Sequence, residues 1–311
     1  MADSETVPLE LEGDRQISQR LMRRAALLSL SMAAILLLLK AYAWWQVGSV
    51  SILSSLIDSA LDVGASSVNL LAIRHALQPA DREHRFGHGK AEPIAGLVQV
   101  TLILGSSLYL LYEVIHHFLH PQGLAHIQAG FVVLLLSVAA TALVVGYQRY
   151  VIRRTGSVAI RADAAHYAGD FAVNLGAIFA LIAVDALHLW WADPAIGLLT
   201  AGFIAYTALG IGRVALDMLM DREMSDDARR RIKEIVLAHK EVQAIHDLRT
   251  REAGQDCFIQ FHLELDGSIS LHEAHRISDE VEQDLRQAFP GAEFLIHQDP
   301  AGQERSTRRF A

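Results

Sequence analysis

The sequence predicts a membrane protein in two parts, an all-α six-helix transmembrane bundle followed by a small α+β domain. Three observations point there. Hydrophobic residues make up 52% of the 311 and charged residues only 20%, more apolar than an ordinary soluble chain of this length. Most of the apolar residues lie between 25 and 219, whereas 220–311 read as a charged soluble domain. Within the first stretch they gather into six runs of the roughly 20 residues that a helix needs to span a bilayer.

In chain order, the sequence divides into an N-terminal segment (1–24), the bundle (25–219), the α+β domain (220–300) and a polar tail without a motif (301–311). Residues 1–14 are acidic and read as disordered. Spans are expected near 25–46, 49–77, 91–118, 126–149, 158–187 and 193–219; the longer ones tilt or extend into water. Basic residues alternate between the links. Arg15, Arg20, Arg23 and Arg24 precede the first span, Arg74, Arg82, Arg85 and Lys90 follow the second, and Arg149, Arg153, Arg154 and Arg161 follow the fourth. The links near 46–49, 119–126 and 188–193 hold no Lys or Arg. That asymmetry places both termini in the cytoplasm. Trp44, Trp45, Trp190 and Trp191 fall at the outer ends, where an aromatic belt forms. A competing reading takes residues 15–43 as a signal peptide, because Ala41-Tyr42-Ala43 imitates a cleavage site. It would leave five spans and one terminus outside, against the distribution of basic residues. Lys40, inside the first span, reads as snorkelling or paired.

The C-terminal part reads as a helix over 225–239, strands over 242–251 and 257–266, an amphipathic helix over 270–289 and a strand over 292–299. The order α-β-β-α-β suits a ferredoxin-like or metallochaperone-like unit with helices on one face of a sheet. Alternation puts Cys257, Ile259, Phe261, Leu263 and Leu265 on one face of the second strand, and Gln260, His262 and Glu264 on the other.

Some function classes drop out. The net charge of −8 comes without a basic, aromatic-studded stripe, which argues against nucleic-acid binding. No Gly-rich phosphate loop is present, so a nucleotide-driven pump is not expected. The lone Cys257 excludes an internal disulfide and a Cys-rich zinc site. His272 and His275 in HEAH are three apart rather than the four of a zinc-protease helix.

The informative residues are ionisable groups at membrane depth. Asp58 and Asp62 lie in SLIDSALDVGAS of the second span, and His166 and Asp170 in ADAAHYAGDFAVN of the fifth. Each pair is spaced i, i+4 and so shares one helix face. A charge at bilayer depth costs several kcal/mol unless paired or solvated, so two such pairs on two helices read as a site. A water-lined polar seam is the plain alternative. Three carboxylates and an imidazole form a four-ligand set that suits Zn²⁺ and also takes Fe²⁺, Cd²⁺ or Co²⁺. Such ligands bind metal only when deprotonated, so protons and metal compete for them. A site exposed alternately to the two sides would then exchange H⁺ for metal.

In the link QPADREHRFGHGKAEP, the spacing of Asp81, His84 and His88 can close a small metal site on a bend made by Gly87 and Gly89; spacing alone leaves a solvated charged loop equally open. His116, His117, His120 and His126 near the outer side read as interfacial side chains. In the C-terminal part His246, His262, His275, His297 and Asp299 are further candidate ligands, but they sit on three strands and a helix, so spacing cannot test them.

At this point the chain resembles the cation diffusion facilitator family, specifically its bacterial zinc and ferrous-iron efflux pumps of the YiiP type. SLIDSALDVGAS, RFGHGKAE, RADAAHY, HDLRTR and IHQDP carry the resemblance, which runs from about residue 25 to 300. It implies a transport site on Asp58, Asp62, His166 and Asp170, with the histidine associated with zinc-type selectivity. It implies a link site on Asp81, His84 and His88, and a binuclear site on His246, His262, His275, His297 and Asp299, with Gln298 beside them. It further implies a proton-coupled exporter in the bacterial inner membrane, a homodimer joined through metal-binding C-terminal domains, and a charge interlock between Lys90 and Asp221. A membrane-anchored metal sensor is the competing reading, but an anchor has no need of four ionisable residues at bilayer depth. An intramembrane metalloenzyme would need an open coordination position, which four protein ligands do not leave.

Overall fold

The computed structural model describes residues 9–47, 50–119, 127–187 and 191–302. Two compact units divide the chain, a helical one from Asp14 to Leu216 and a C-terminal one from Asp217 onward.

The helical unit is built from α1 (Leu9–Val47), α2 (Val50–Ala76), α3 (Ala91–Leu119), α4 (Ile127–Thr155), α5 (Val158–Leu187) and α6 (Ala192–Leu219). Among the described residues, α1, α3, α4 and α6 contain stretches long and apolar enough to cross a membrane. The other two, α2 and α5, match them in length but carry the ionisable pairs. One expectation is corrected here: α1 begins at Leu9, so part of the acidic segment read as disordered is helical.

The packing places α5 centrally. It lies against α2, α3 and α4. One buried cluster joins Met22 of α1, Ile73 of α2, Val151 of α4 and Ile160 of α5. A second joins Ile103 of α3, Ala162 of α5 and Ile204 of α6. Small residues let the helices approach. A Cβ on Gly197 would come within 2.5 Å of Val114, and one on Gly176 within 2.9 Å of Ile196. Large apolar side chains such as Leu38, Leu143, Leu199 and Tyr206 face outward. Apolar surface on that scale marks a membrane-facing wall.

The C-terminal unit runs α7 (Asp226–Leu237), β1 (Ala244–Ala253), β2 (Asp256–Leu265), α8 (Leu271–Ala288), β3 (Ala292–Pro300), the expected order. Ser225 caps α7 by accepting from the Ala228 amide, and Ser270 caps α8 by accepting from that of Glu273. The sheet order is β1-β2-β3; β1 and β2 pair antiparallel, β2 and β3 parallel. One face is closed by α7 and α8 over Ile259, Phe261, Leu263, Ile277, Val281 and Leu285, all nearly inaccessible. The opposite face carries the polar residues of the alternating pattern.

Candidate metal centres

On α2 and α5 the i, i+4 spacing brings side chains from two helices together. His166 Nε2 lies 3.0 Å from Asp62 Oδ1 and 3.8 Å from Asp170 Oδ2. Donor atoms of Asp62, His166 and Asp170 lie within 4.8 Å of one another, close enough to share one ion. Asp58 stands one turn before Asp62 on α2, and its side chain is outside the described part. The cluster opens on a cavity of about 700 Å³ that Lys40, Ser59, Ser106, Tyr109, Thr141 and Asn174 also line. Lys40 is held there by a 2.7 Å hydrogen bond to Ser59 Oγ, so it is paired inside the bundle.

A buried polar network adjoins this cluster. Tyr167 donates to the Ser29 carbonyl at 2.8 Å and meets Ser66 Oγ at 3.4 Å. Gln148 donates to Ser29 Oγ and to Asp163 Oδ2. These bonds tie α1, α2, α4 and α5 around the residue next to His166. Sequence reasoning passed over Asp163 and Gln148. The signal for Asp163 was present, since it lies three residues before His166 and seven before Asp170, on the same helical face.

In the link, Asp81 Oδ1 accepts from the amides of Glu83 and His84, which folds the segment into a tight turn. Gly87 continues it with φ of 76°, a conformation that favours glycine. The two Asp81 oxygens lie 3.4 Å from His84 Nδ1 and 3.4 Å from His88 Nε2. The His84 amide, opposed by slight desolvation and helped by the Glu83 amide and the two imidazoles, holds the Asp81 carboxyl below its ordinary range. The carboxylate is therefore ready as a ligand.

In the C-terminal unit, strand register does what spacing could not. His246 pairs with His262 across β1 and β2, and His262 with His297 across β2 and β3. The three imidazoles thus form a row on the open face, and Asp299 joins them two residues beyond His297. His262 Nδ1 is 2.7 Å from Asp299 Oδ2, His246 Nε2 is 3.5 Å away, and His297 Nε2 is 3.2 Å from Oδ1. A bulge after His246, with Asp247 at φ 49°, turns Asp247 toward His262 at 3.9 Å. Burial pushes the Asp299 carboxyl up, but the His262 hydrogen bond and the nearby imidazoles outweigh it and hold it low. His275 stands apart, exposed on α8 beside Asp279 at 3.6 Å. Gln298 points the other way, donating to the Ala274 carbonyl and Ser278 Oγ. Asp221 pairs with Arg251 at 3.2 Å within this unit. His116 stacks on Tyr112; His120, His126 and the His117 side chain lie outside the described residues.

Comparison with known proteins covers most of the chain. A family model described as the cation efflux transmembrane domain matches residues 26–220, and one described as the cation efflux protein cytoplasmic domain matches 224–301. The cation-efflux pump FieF of Pectobacterium carotovorum (strain PC1) is 45% identical over 281 residues, 90% of this chain and 93% of its own. That of Escherichia coli (strain K12 / DH10B) is 45% identical over 283 residues, with the same coverage. A solved chain of CzrB is 38% identical, covers 25% of this chain and 99% of its own, and has a TM-score of 0.25. With both domain models matched in order and 45% identity to relatives of nearly equal length, this membrane protein belongs to the cation efflux (cation diffusion facilitator) family, which comprises transporters and not enzymes.

Proposed function

We propose that the chain exports a divalent metal from the cytoplasm, with Zn²⁺ the best fit and Fe²⁺ or Cd²⁺ as further cargo, in exchange for protons. The observation that carries this reading is the convergence of Asp62, His166 and Asp170 from two helices beside a cavity inside the bundle. Asp58, one turn from Asp62, completes a set of three oxygens and one nitrogen. Hard and borderline donors in fourfold number suit zinc-type ions rather than calcium, which takes six to eight oxygens. Fully deprotonated, the four ligands carry three negative charges; a divalent cation cancels two, and Lys40 in the same cavity supplies another positive charge. Near-neutrality of the loaded site is what a low-dielectric interior demands.

Coupling follows from the same donors. A proton bound to any of them removes a ligand, so metal and protons displace one another as the site faces each side in turn. Buried helix contacts at small residues allow the alternation by rigid movement. We assign both termini to the cytoplasm of a bacterial inner-membrane protein from the distribution of basic links. The row His246, His262 and His297 with Asp299 holds resident zinc in the C-terminal domain and joins two copies of the chain; His275 serves a second ion of that centre. Asp81, His84 and His88 hold an ion in the link.

The test is metal flux into proteoliposomes, wild type against Asp58→Ala, with and without a pH gradient. Zinc flux that rises with an opposing proton gradient and vanishes in the variant is expected. Flux indifferent to the gradient overturns proton exchange, and flux retained in the variant overturns the site. A membrane-anchored sensor would show no flux in either protein.

A further inference from the structure

His75 occupies the last turn of α2, exposed, six residues before Asp81, and nothing above gives it a role. Its ring lies against His88 with centroids 4.6 Å apart, and His84 lies against the same His88 at 4.6 Å. Those separations have a chemical meaning. With Zn–N near 2.0–2.1 Å and a tetrahedral angle, two imidazoles on one ion have centroids roughly 5 Å apart. The C-terminal row shows the same spacing, 5.0 Å for His246–His262 and 4.6 Å for His262–His297. Asp81, His84 and His88 offer three donors, whereas structural zinc sites close with four. His88 is the buried hub, its side chain only 5% exposed.

We propose that His75 is the fourth protein ligand of the link centre, giving three imidazoles and one carboxylate around a zinc-type ion. His75 lies outside the group of donors that fall within 4.8 Å of one another, so its ligation requires the exposed ring to turn about its side-chain torsions toward the position that Asp81, His84 and His88 share. The ion then ties the end of α2 to the link that follows it, and the centre is closed and structural rather than open to exchange. This rests on the reading of Asp81, His84 and His88 as a metal site.

The test uses the full-length protein in detergent, with Asp62→Ala plus His166→Ala and His262→Ala plus Asp299→Ala reducing the other two centres below three donors and cobalt(II) as the probe. X-ray absorption counts the imidazoles, and visible absorption reports coordination number. Three imidazoles and a tetrahedral spectrum are expected with His75 present. His75→Phe keeps a ring against His88 but removes the nitrogens; it should leave two imidazoles and weaken cobalt binding by about tenfold or more. His75→Cys should restore a four-ligand site and add a cobalt–thiolate charge-transfer band, a gain of signal that does not depend on a loss. Unchanged affinity and imidazole count in His75→Phe, or no thiolate band in His75→Cys, overturns the proposal. Asp81→Ala in the same background should abolish the bound equivalent; if it does not, the link-site reading itself fails. Should the fourfold-substituted background not elute as folded protein, the thiolate band is read in His75→Cys alone against the wild type, with the same outcomes.

Discussion

Two regions of this molecule gather the same donor types by opposite means. In the helical unit, Asp62, His166 and Asp170 come from two helices, and each pair is set by one turn of its own helix. In the C-terminal unit, His246, His262 and His297 come from three strands, and only the pairing register sets them side by side. A site between two helices changes when the helices move, because its ligands are fixed within each helix and not between them. A site across a hydrogen-bonded sheet is held by the ladder itself, over a core in which Phe261 and Leu263 are almost wholly buried. On the function proposed above, the difference would suit the first region to cargo that must be released and the second to ions that stay.

The sharpest way to break this contrast is Asp62→Ala. It should abolish metal uptake into inverted vesicles while the protein still elutes as a dimer; retained uptake would make the two regions equivalent. Next in size is Phe261→Ala, which opens a cavity under the histidine row. It should cost about 3–5 kcal/mol of C-terminal domain stability, read by denaturant melts, and lower resident metal content before it lowers flux per folded molecule. An equal loss of flux would mean that the sheet site lies on the transport path.

Acidity gives a finer cut. Asp299 is held below its ordinary value in the folded domain, so its stabilisation is present above the unfolded aspartate value of about 3.9 and is lost as pH falls below it. The metal-free C-terminal domain should therefore weaken in acid by thermal melt, and Asp299→Asn should flatten that part of the profile. The smallest effect expected is Ser225→Ala, which removes the α7 cap. It should cost about 1 kcal/mol in the domain melt and leave vesicle uptake unchanged.

The same contrast separates what could be read early from what could not. The helix-borne candidates were visible because burying a charge in a membrane is costly, which makes any repeated ionisable pair inside an apolar run conspicuous. Asp163 followed the same rule and was still missed, since its partners Gln148 and Ser29 lie on other helices. In the link, spacing left a metal site and a solvated loop equally open. The Asx turn at Asp81 and the ring contacts of His88 bring the three side chains together, and neither can be counted from residue intervals.

The amino-acid sequence by itself determined the order of the described elements, the alternation of the second strand and the helical spacing of His166 and Asp170, because each depends on periodicity within one element. Only the tertiary structure decided the rest. It set the row His246, His262 and His297 through strand register, and it left His275 outside that row, on the exposed side of α8. It brought His75 against His88 and Lys40 into the same cavity as His166. Each of these joins residues from separate elements, and the distance between elements is set by packing, which no local repeat in the chain encodes.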